Sequence, residues 1–221
     1  MRHLVVGAAG HAQEVAWSLH EMLDRKAELL FFDDRIPPGP LASGLGAVVG
    51  PLDAIADHAT DGARLVLGVG LPRLKTMLVD RLAALRLPWA TVVHPGATIG
   101  PNVRIGAGSY VAAGAIVTVN VHVGRFATIN MHCQVAHDAV LAQFATLHPG
   151  ARVAGNAVIG EGAELGTTAA VLPGVTVGAW AVLGAGGVAV RSLPGDATYV
   201  GLPARAIRRR PLLARRGQGA A

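Results

Sequence analysis

Five of the nine histidines fall in one part of the 221-residue chain, at His94, His122, His132, His137 and His148. Among these five, His137 is the one followed directly by a carboxylate, Asp138. A histidine polarised by a neighbouring carboxylate has the parts of a general base. The five-residue step from His132 to His137 would also suit two ligands of a metal ion. Near the start, Gly7-Ala8-Ala9-Gly10-His11 follows the aliphatic run Leu4–Val6. Backbone amides at such a turn suit a diphosphate, and Asp33-Asp34 supplies carboxylates for sugar or ribose hydroxyls. Gly7-x-x-Gly10 is a fragment of the three-glycine dinucleotide fingerprint, so a tight turn without a ligand accounts for it equally well.

The histidine-rich stretch has a strict period. From Val93 to Leu183 every sixth residue is Val, Ile or Leu, sixteen times in succession. Four residues after each comes a small or β-branched side chain: ten Ala, three Val, and Ser109, Cys133 and Gly187. One large and one small apolar site per six residues is the pattern of a hexapeptide β-helix. The aliphatic residue fills a narrow shaft and the small one fits beside it. With three hexads to a coil, residues eighteen apart stack. Gly155 then lies one coil above His137 and leaves open space and a backbone amide beside the imidazole. Val135 and Ala139 take the inward sites of that hexad, so His137 points outward. His94, Asn130 and His148 share an exposed corner, where polar residues are unremarkable.

The residues before the repeat read as strand, glycine turn and helix (Val15, Ala16, Leu19, Met22 and Leu23 at helical spacing), then a strand Leu29–Phe32. Residues 35–50 read as loop with a short strand at Val48-Val49, and a weak helix starts at Leu52 behind Pro51. A third strand runs from Arg64 to Val69 and ends at Gly70. Leu71–Leu87 has helical spacing, and Pro88 stops it. Strands alternating with helices predict a small Rossmann-like parallel sheet over residues 1–88, with ligands at the carboxyl ends of its strands. The β-helix is expected over 89–190. A cap and basic tail take 191–221, with the period dissolving after Leu183 and a frayed end.

Composition excludes several classes. No apolar run approaches the roughly eighteen residues a membrane span needs, and nothing at the start reads as a secretory signal. A single cysteine fits a reducing, cytoplasmic setting, and Cys133, at a small-residue site, is expected to be a packed thiol. The net charge of +5 belongs to the tail: Arg205, Arg208, Arg209, Arg210, Arg215 and Arg216 supply it, and without them the charge is −1. With three Trp, two Tyr and four Phe for base stacking, no nucleic-acid partner is expected.

Gly7 to His11, Asp33-Asp34, the unbroken hexads, Asn130, Val135-Ala136-His137-Asp138 and Val200-Gly201-Leu202-Pro203-Ala204 together resemble the bacterial nucleotide-sugar and sialic acid acetyltransferase family, whose members include perosamine N-acetyltransferases. The resemblance implies a left-handed parallel β-helix, a homotrimer and acetyl-CoA as co-substrate. It makes His137 the base and Asp138 its partner. Ala9, Gly10, His11, Asp33, Asp34 and Gly70 would hold a nucleotide-linked 4-amino sugar. Gly155, Thr167 and Ala185 would line the CoA groove, together with Thr146, which stands where relatives often carry a second histidine. After Gly70, relatives commonly show Asn and then Arg where this chain has Pro72 and Lys75. The same residues would serve a sugar or sialic acid O-acetyltransferase.

A zinc enzyme of the γ-class carbonic anhydrase kind would need a third histidine thirty-six residues before His132. Gly96 stands there, and His94 is two residues out of register, too far for a metal bond. No metal is expected. A non-catalytic scaffold would give no reason for His137-Asp138 beside Gly155.

Overall fold

In the computed structural model, which describes residues 2–209, the aliphatic run Arg2–Val6 forms β1, followed by helix α1 (Gly10–Met22) and β2 (Glu28–Phe32). Two short strands follow, β3 (Gly39–Pro40) and β4 (Ala47–Gly50). A 3-10 turn spans Leu52–His58, and β5 (Arg64–Leu67) leads to helix α2 (Pro72–Leu82). The strands form one sheet in the order β3-β4-β2-β1-β5. β1, β2, β4 and β5 are parallel, and β3 lies antiparallel on the edge.

The short strand expected at Val48-Val49 is β4, which joins the sheet with Val48 buried in register with Phe31. The edge strand β3 is not expected from a stretch that reads as loop. The helix expected to run to Leu87 ends at Leu82, passes into a 3-10 turn at Ala83–Leu85, and closes at Arg86 in the left-handed region. Pro88 disfavours helical geometry at the residue before it, which is why the turn cannot continue. α1 buries Ala12, Val15, Ala16 and Leu19, and β1 buries Leu4, Val5 and Val6.

The hexads form a three-sided parallel β-helix of two-residue strands. One face holds β6 (Val92–Val93), β9 (Tyr110–Val111), β12 (Thr128–Ile129), β15 (Thr146–Leu147), β18 (Glu164–Leu165) and β21 (Val182–Leu183). The second holds β7 (Thr98–Ile99), β10 (Ile116–Val117), β13 (Gln134–Val135), β16 (Arg152–Val153), β19 (Ala170–Val171) and β22 (Val188–Ala189). The third holds β8 (Arg104–Ile105), β11 (His122–Val123), β14 (Val140–Leu141), β17 (Val158–Ile159) and β20 (Thr176–Val177). Partners such as Val117 and Val135 are in register eighteen residues apart. Val111 to Leu183 at the large sites, with Ala115 to Ala181 at the small ones, make one continuous core. Adjacent coils approach closely at some corners: a Cβ on Gly124 would stand 2.5 Å from the amide nitrogen of Gln143.

The coil outlasts the strict period. Ala189 continues the register in β22, Leu193 bridges Val177, and β23 (Ala197–Val200) pairs with β21. Buried Leu193, Ala197 and Tyr199 take over the shaft although their spacing has shortened. The expected frayed end begins as a strand, β24 (Arg205–Arg209), antiparallel to β23. Arg210, Arg215 and Arg216 lie outside the described residues. Among those described, no helix is long and apolar enough to cross a membrane.

The N-terminal sheet and helices sit on the first face of the β-helix. Val92, Tyr110, Thr128 and Thr146, which point outward from that face, are all buried beneath them. The Ser18 hydroxyl lies 3.0 Å from that of Tyr110, and Trp17 packs against His94 with ring centres 4.7 Å apart and planes inclined by 51°. Along one edge of the same face Phe126 and Phe144 stack at 5.2 Å, Trp89 meets Phe126 edge-on, and Arg73 lies 4.9 Å over Trp180.

Candidate functional site

His137 sits at the corner between the second and third faces, between β13 and β14. Val135 and Ala139 fill the shaft on either side of it, so the imidazole projects outward and its side chain is 58% exposed. Its Nδ1 lies 2.8 Å from Asp138 Oδ2. A carboxylate only accepts, so Nδ1 carries the proton and Nε2 keeps its lone pair. The hydrogen bond from His137, with a second from Asn120, holds the Asp138 carboxyl below the usual carboxylate range. The space over Gly155 is not left open, as the spacing suggested. The imidazole itself fills it, and a Cβ on Gly155 would come within 2.5 Å of Cε1 and Nε2. The Gly155 amide makes no backbone hydrogen bond among the described residues.

Thr167 and Ala185 are exposed and stacked at the neighbouring corner, between the first and second faces, with the Gly186 amide donating to Thr167 O. They flank the second face on one side and His137 with Gly155 flanks it on the other. Thr146 is elsewhere: it is 1% exposed on the first face, and its hydroxyl donates to Gly70 O at 2.9 Å.

The remaining residues divide in two. Ala9, Asp33 and Asp34 line a cavity of about 360 Å³ at the carboxyl ends of β1, β2 and β5, closed by Leu52, Leu74 and Leu78. Both Asp33 oxygens hold backbone: Oδ2 accepts from Ala8 N at 2.9 Å, and Oδ1 from the amides of Arg35 and Ile36. Asp34 accepts from Leu52 N and from Arg81, which reaches on to Asp53 at 2.7 Å. The Arg81 guanidinium is the main reason the Asp34 carboxyl titrates below its ordinary value. Gly10 opens α1. His11 and Gly70 lie together against the β-helix, His11 edge-on to Tyr110 with ring centres 5.7 Å apart. Burial lowers the His11 pKa, and Glu14 opposes that shift.

The corner of His94, Asn130 and His148 differs from the exposed one expected. Asn130 is 8% exposed and His94 is half-covered by Trp17, because the N-terminal helices overlie this edge. His148 Nε2 stands 3.6 Å from Glu164. Cys133 is packed, its thiol donating to His148 O at 3.1 Å, and burial pushes its pKa up to about 11.

Sequence reasoning missed the role of Lys75, which it registered only as standing where relatives have Arg. Lys75 is fully buried, and its Nζ donates to Phe126 O and Thr128 Oγ1, both at 2.9 Å. A lysine on the buried stripe of α2 with Leu78 and Leu82 was the available signal.

His137 and the Asp33 cavity are not brought together within one chain. The N-terminal elements cover the first face, and His137 projects from the corner that does not border it. His132 and His137 do not converge either. The His132 ring packs toward Gly114 in the coil below, whereas that of His137 packs toward Gly155 in the coil above.

No family model matches the chain, and no curated protein sequence does. Solved structures do. A histidine-to-asparagine mutant of perosamine N-acetyltransferase from Caulobacter crescentus, in complex with CoA and GDP-perosamine, is 33% identical with a TM-score of 0.87, over 93% of this chain and 96% of its own. The acetyltransferase domain of PglB from Neisseria gonorrhoeae is 32% identical with a TM-score of 0.86, over 93% and 99%. WeeI from Acinetobacter baumannii is 26% identical with a TM-score of 0.87, over 94% and 100%.

Proposed function

The chain belongs to the bacterial nucleotide-sugar acetyltransferase family and is an acetyltransferase, and from that premise we propose that it moves the acetyl group of acetyl-CoA to the amino group of a nucleotide-linked 4-amino sugar. The observation that carries this reading is the exposed His137-Asp138 pair, with the imidazole ring over Gly155. The relatives' complexes with CoA, acetyl-CoA and GDP-perosamine support it.

Acetyl-CoA supplies a thioester whose carbonyl carbon is open to attack. Small, exposed Thr167 and Ala185 at one edge of the second face leave room for its extended arm, which would run toward the His137 ring over Gly155 at the other edge. As the amine nitrogen attacks, His137 Nε2 takes the proton it loses. The Gly155 N–H donates to the carbonyl oxygen as negative charge builds there. Asp138 stabilises the imidazolium. The C–S bond then breaks, and the proton passes from His137 to the departing sulfur.

The N-terminal sheet, read as a Rossmann-like unit over residues 1–88, binds the acceptor through the Asp33 cavity and the amides at Ala9 and Gly10. The left-handed β-helix over 89–190 carries the transfer, and the described residues after it, 191–209, form its cap. Because the cavity lies over the first face and His137 at the corner opposite it, a homotrimer would complete the site, one chain presenting the acceptor to the histidine of its neighbour.

The test is thiol release from acetyl-CoA with nucleotide-linked 4-amino sugars, free sugars and sialic acid offered side by side. Turnover confined to the nucleotide-linked amines supports the reading; turnover only with hydroxyl acceptors overturns it.

A further inference from the structure

Asn102, Asn120 and Asp138 occupy one corner of the β-helix at intervals of eighteen residues, all in the left-handed region (φ 56°, 57° and 59°). Asn and Asp tolerate that conformation better than most residues, which alone would account for their presence. It does not account for their side chains, which are joined head to tail. Asn102 Nδ2 donates to Asn120 Oδ1 at 2.9 Å, Asn120 Nδ2 donates to Asp138 Oδ1 at 3.1 Å, and Asp138 Oδ2 meets His137 Nδ1 at 2.8 Å.

The direction of this chain is forced. An ionised carboxylate offers no hydrogen, so the Asn120 group facing it is the NH₂. The Asn120 carbonyl then faces Asn102, which must present its own NH₂. One Asp138 oxygen is thereby occupied from below, and the other is left to His137. Among the described residues, His137 is the one charged or titratable group acting on that carboxylate.

We infer that Asn120, backed by Asn102, is a positioning residue for acetyl transfer: it fixes the Asp138 carboxylate so that His137 is held with its proton on Nδ1 and its lone pair on Nε2. The inference deepens the general-base reading above and rests on it. Asp138 held ionised and in one orientation stabilises the imidazolium formed as the acceptor loses its proton. Without Asn120 the carboxylate, 45% exposed, is free to turn toward solvent.

The experiment compares wild type with Asn120→Gly, Asn120→Asp and Asn102→Gly. Glycine keeps the left-handed backbone and removes the amide; Gly174 already occupies this corner at φ 69°. Two readouts are taken on the intact protein: the ¹⁵N chemical shifts of His137, which report its tautomer, and kcat/KM against pH. We expect Asn120→Gly to mix the tautomers and lower kcat about tenfold with both KM values within about twofold. In Asn120→Asp, a second carboxylate beside Asp138 favours its protonation, so activity on the acid side should fall at higher pH than in wild type. Asn102→Gly should act in the same sense more weakly, and add little once Asn120 is glycine. Unchanged ¹⁵N shifts and an unchanged pH profile in Asn120→Gly, with melting temperature preserved, would overturn the inference. Full activity of His137→Ala would instead overturn the base assignment on which it rests, and the ¹⁵N arm keeps the two failures apart.

Discussion

The imidazole of His137 lies over the α-carbon of Gly155, one coil above it, so closely that a Cβ there would stand 2.5 Å from Cε1 and Nε2. Gly155→Ala should therefore displace the ring rather than the backbone, since the imidazole is exposed and can rotate away. A fall in kcat of about tenfold or more is expected, with melting temperature nearly unchanged. Unaltered kcat would mean that the ring position over Gly155 has no bearing on turnover.

His137→Ala removes an exposed side chain and leaves the shaft intact, because Val135 and Ala139 do the packing. It should lower kcat at least about 10²-fold, the lower end of what general-base catalysis contributes, while thermal unfolding and oligomer mass stay as in wild type. Asp138→Asn should cost less than His137→Ala. Turnover by the alanine variant comparable to wild type would redirect attention to His148 and His132.

Asp33 closes the loop that shapes the acceptor cavity by accepting from Ala8, Arg35 and Ile36. Asp33→Ala should raise KM for the nucleotide sugar about tenfold or more, whereas the affinity for acetyl-CoA, measured by calorimetry, should not change. Asp34→Ala should act on the same KM by releasing Arg81 and Leu52. If both affinities fell together, the assignment of the acceptor to the N-terminal sheet would be wrong.

A site shared between chains permits complementation. Light scattering should give a trimer at micromolar concentration. Asp33→Ala and His137→Ala trimers, unfolded together and refolded as a mixture, should at a nucleotide-sugar concentration below the wild-type KM turn over faster than the two variants refolded separately and summed, because some sites then pair an intact cavity with an intact histidine. Failure to recover activity in verified mixed trimers would place both parts of the site on one chain.

Burial brings the Lys75 pKa down to about 7 from 10.5. Between those values the unfolded chain binds one more proton than the native protein, so this group makes stability rise with pH across that window. Below about pH 7 the lysine is charged in both states and the full desolvation cost is present. Lys75→Met removes the titration. The stability of wild type relative to that variant, from urea unfolding, should increase by up to about 1.4 kcal/mol per pH unit between pH ~7 and ~10. Parallel pH dependence of the two proteins would show that Lys75 does not titrate there.

The β-helix was legible residue by residue because its core is one-dimensional. Each coil is closed by the large and small sites of its own hexads, so Val135, Ala139 and the outward direction of His137 follow from local spacing. The same spacing placed Gly155 beside His137, but could not say that the ring would occupy the space there. Spacing also lost the coil after Leu183, where Leu193, Ala197 and Tyr199 fill the shaft at shortened intervals.

What only the tertiary structure decided is how the N-terminal elements and the prism meet. Lys75 reaches Phe126 and Thr128, and Gly70 meets Thr146, across separations of fifty-one, fifty-three and seventy-six residues. Asn130 is buried and Thr146 withdrawn from any open groove for the same reason. Contacts of this kind leave no periodic mark in the chain: they depend on which face of the prism the helices cover, and that is set by the fit of two independently formed surfaces.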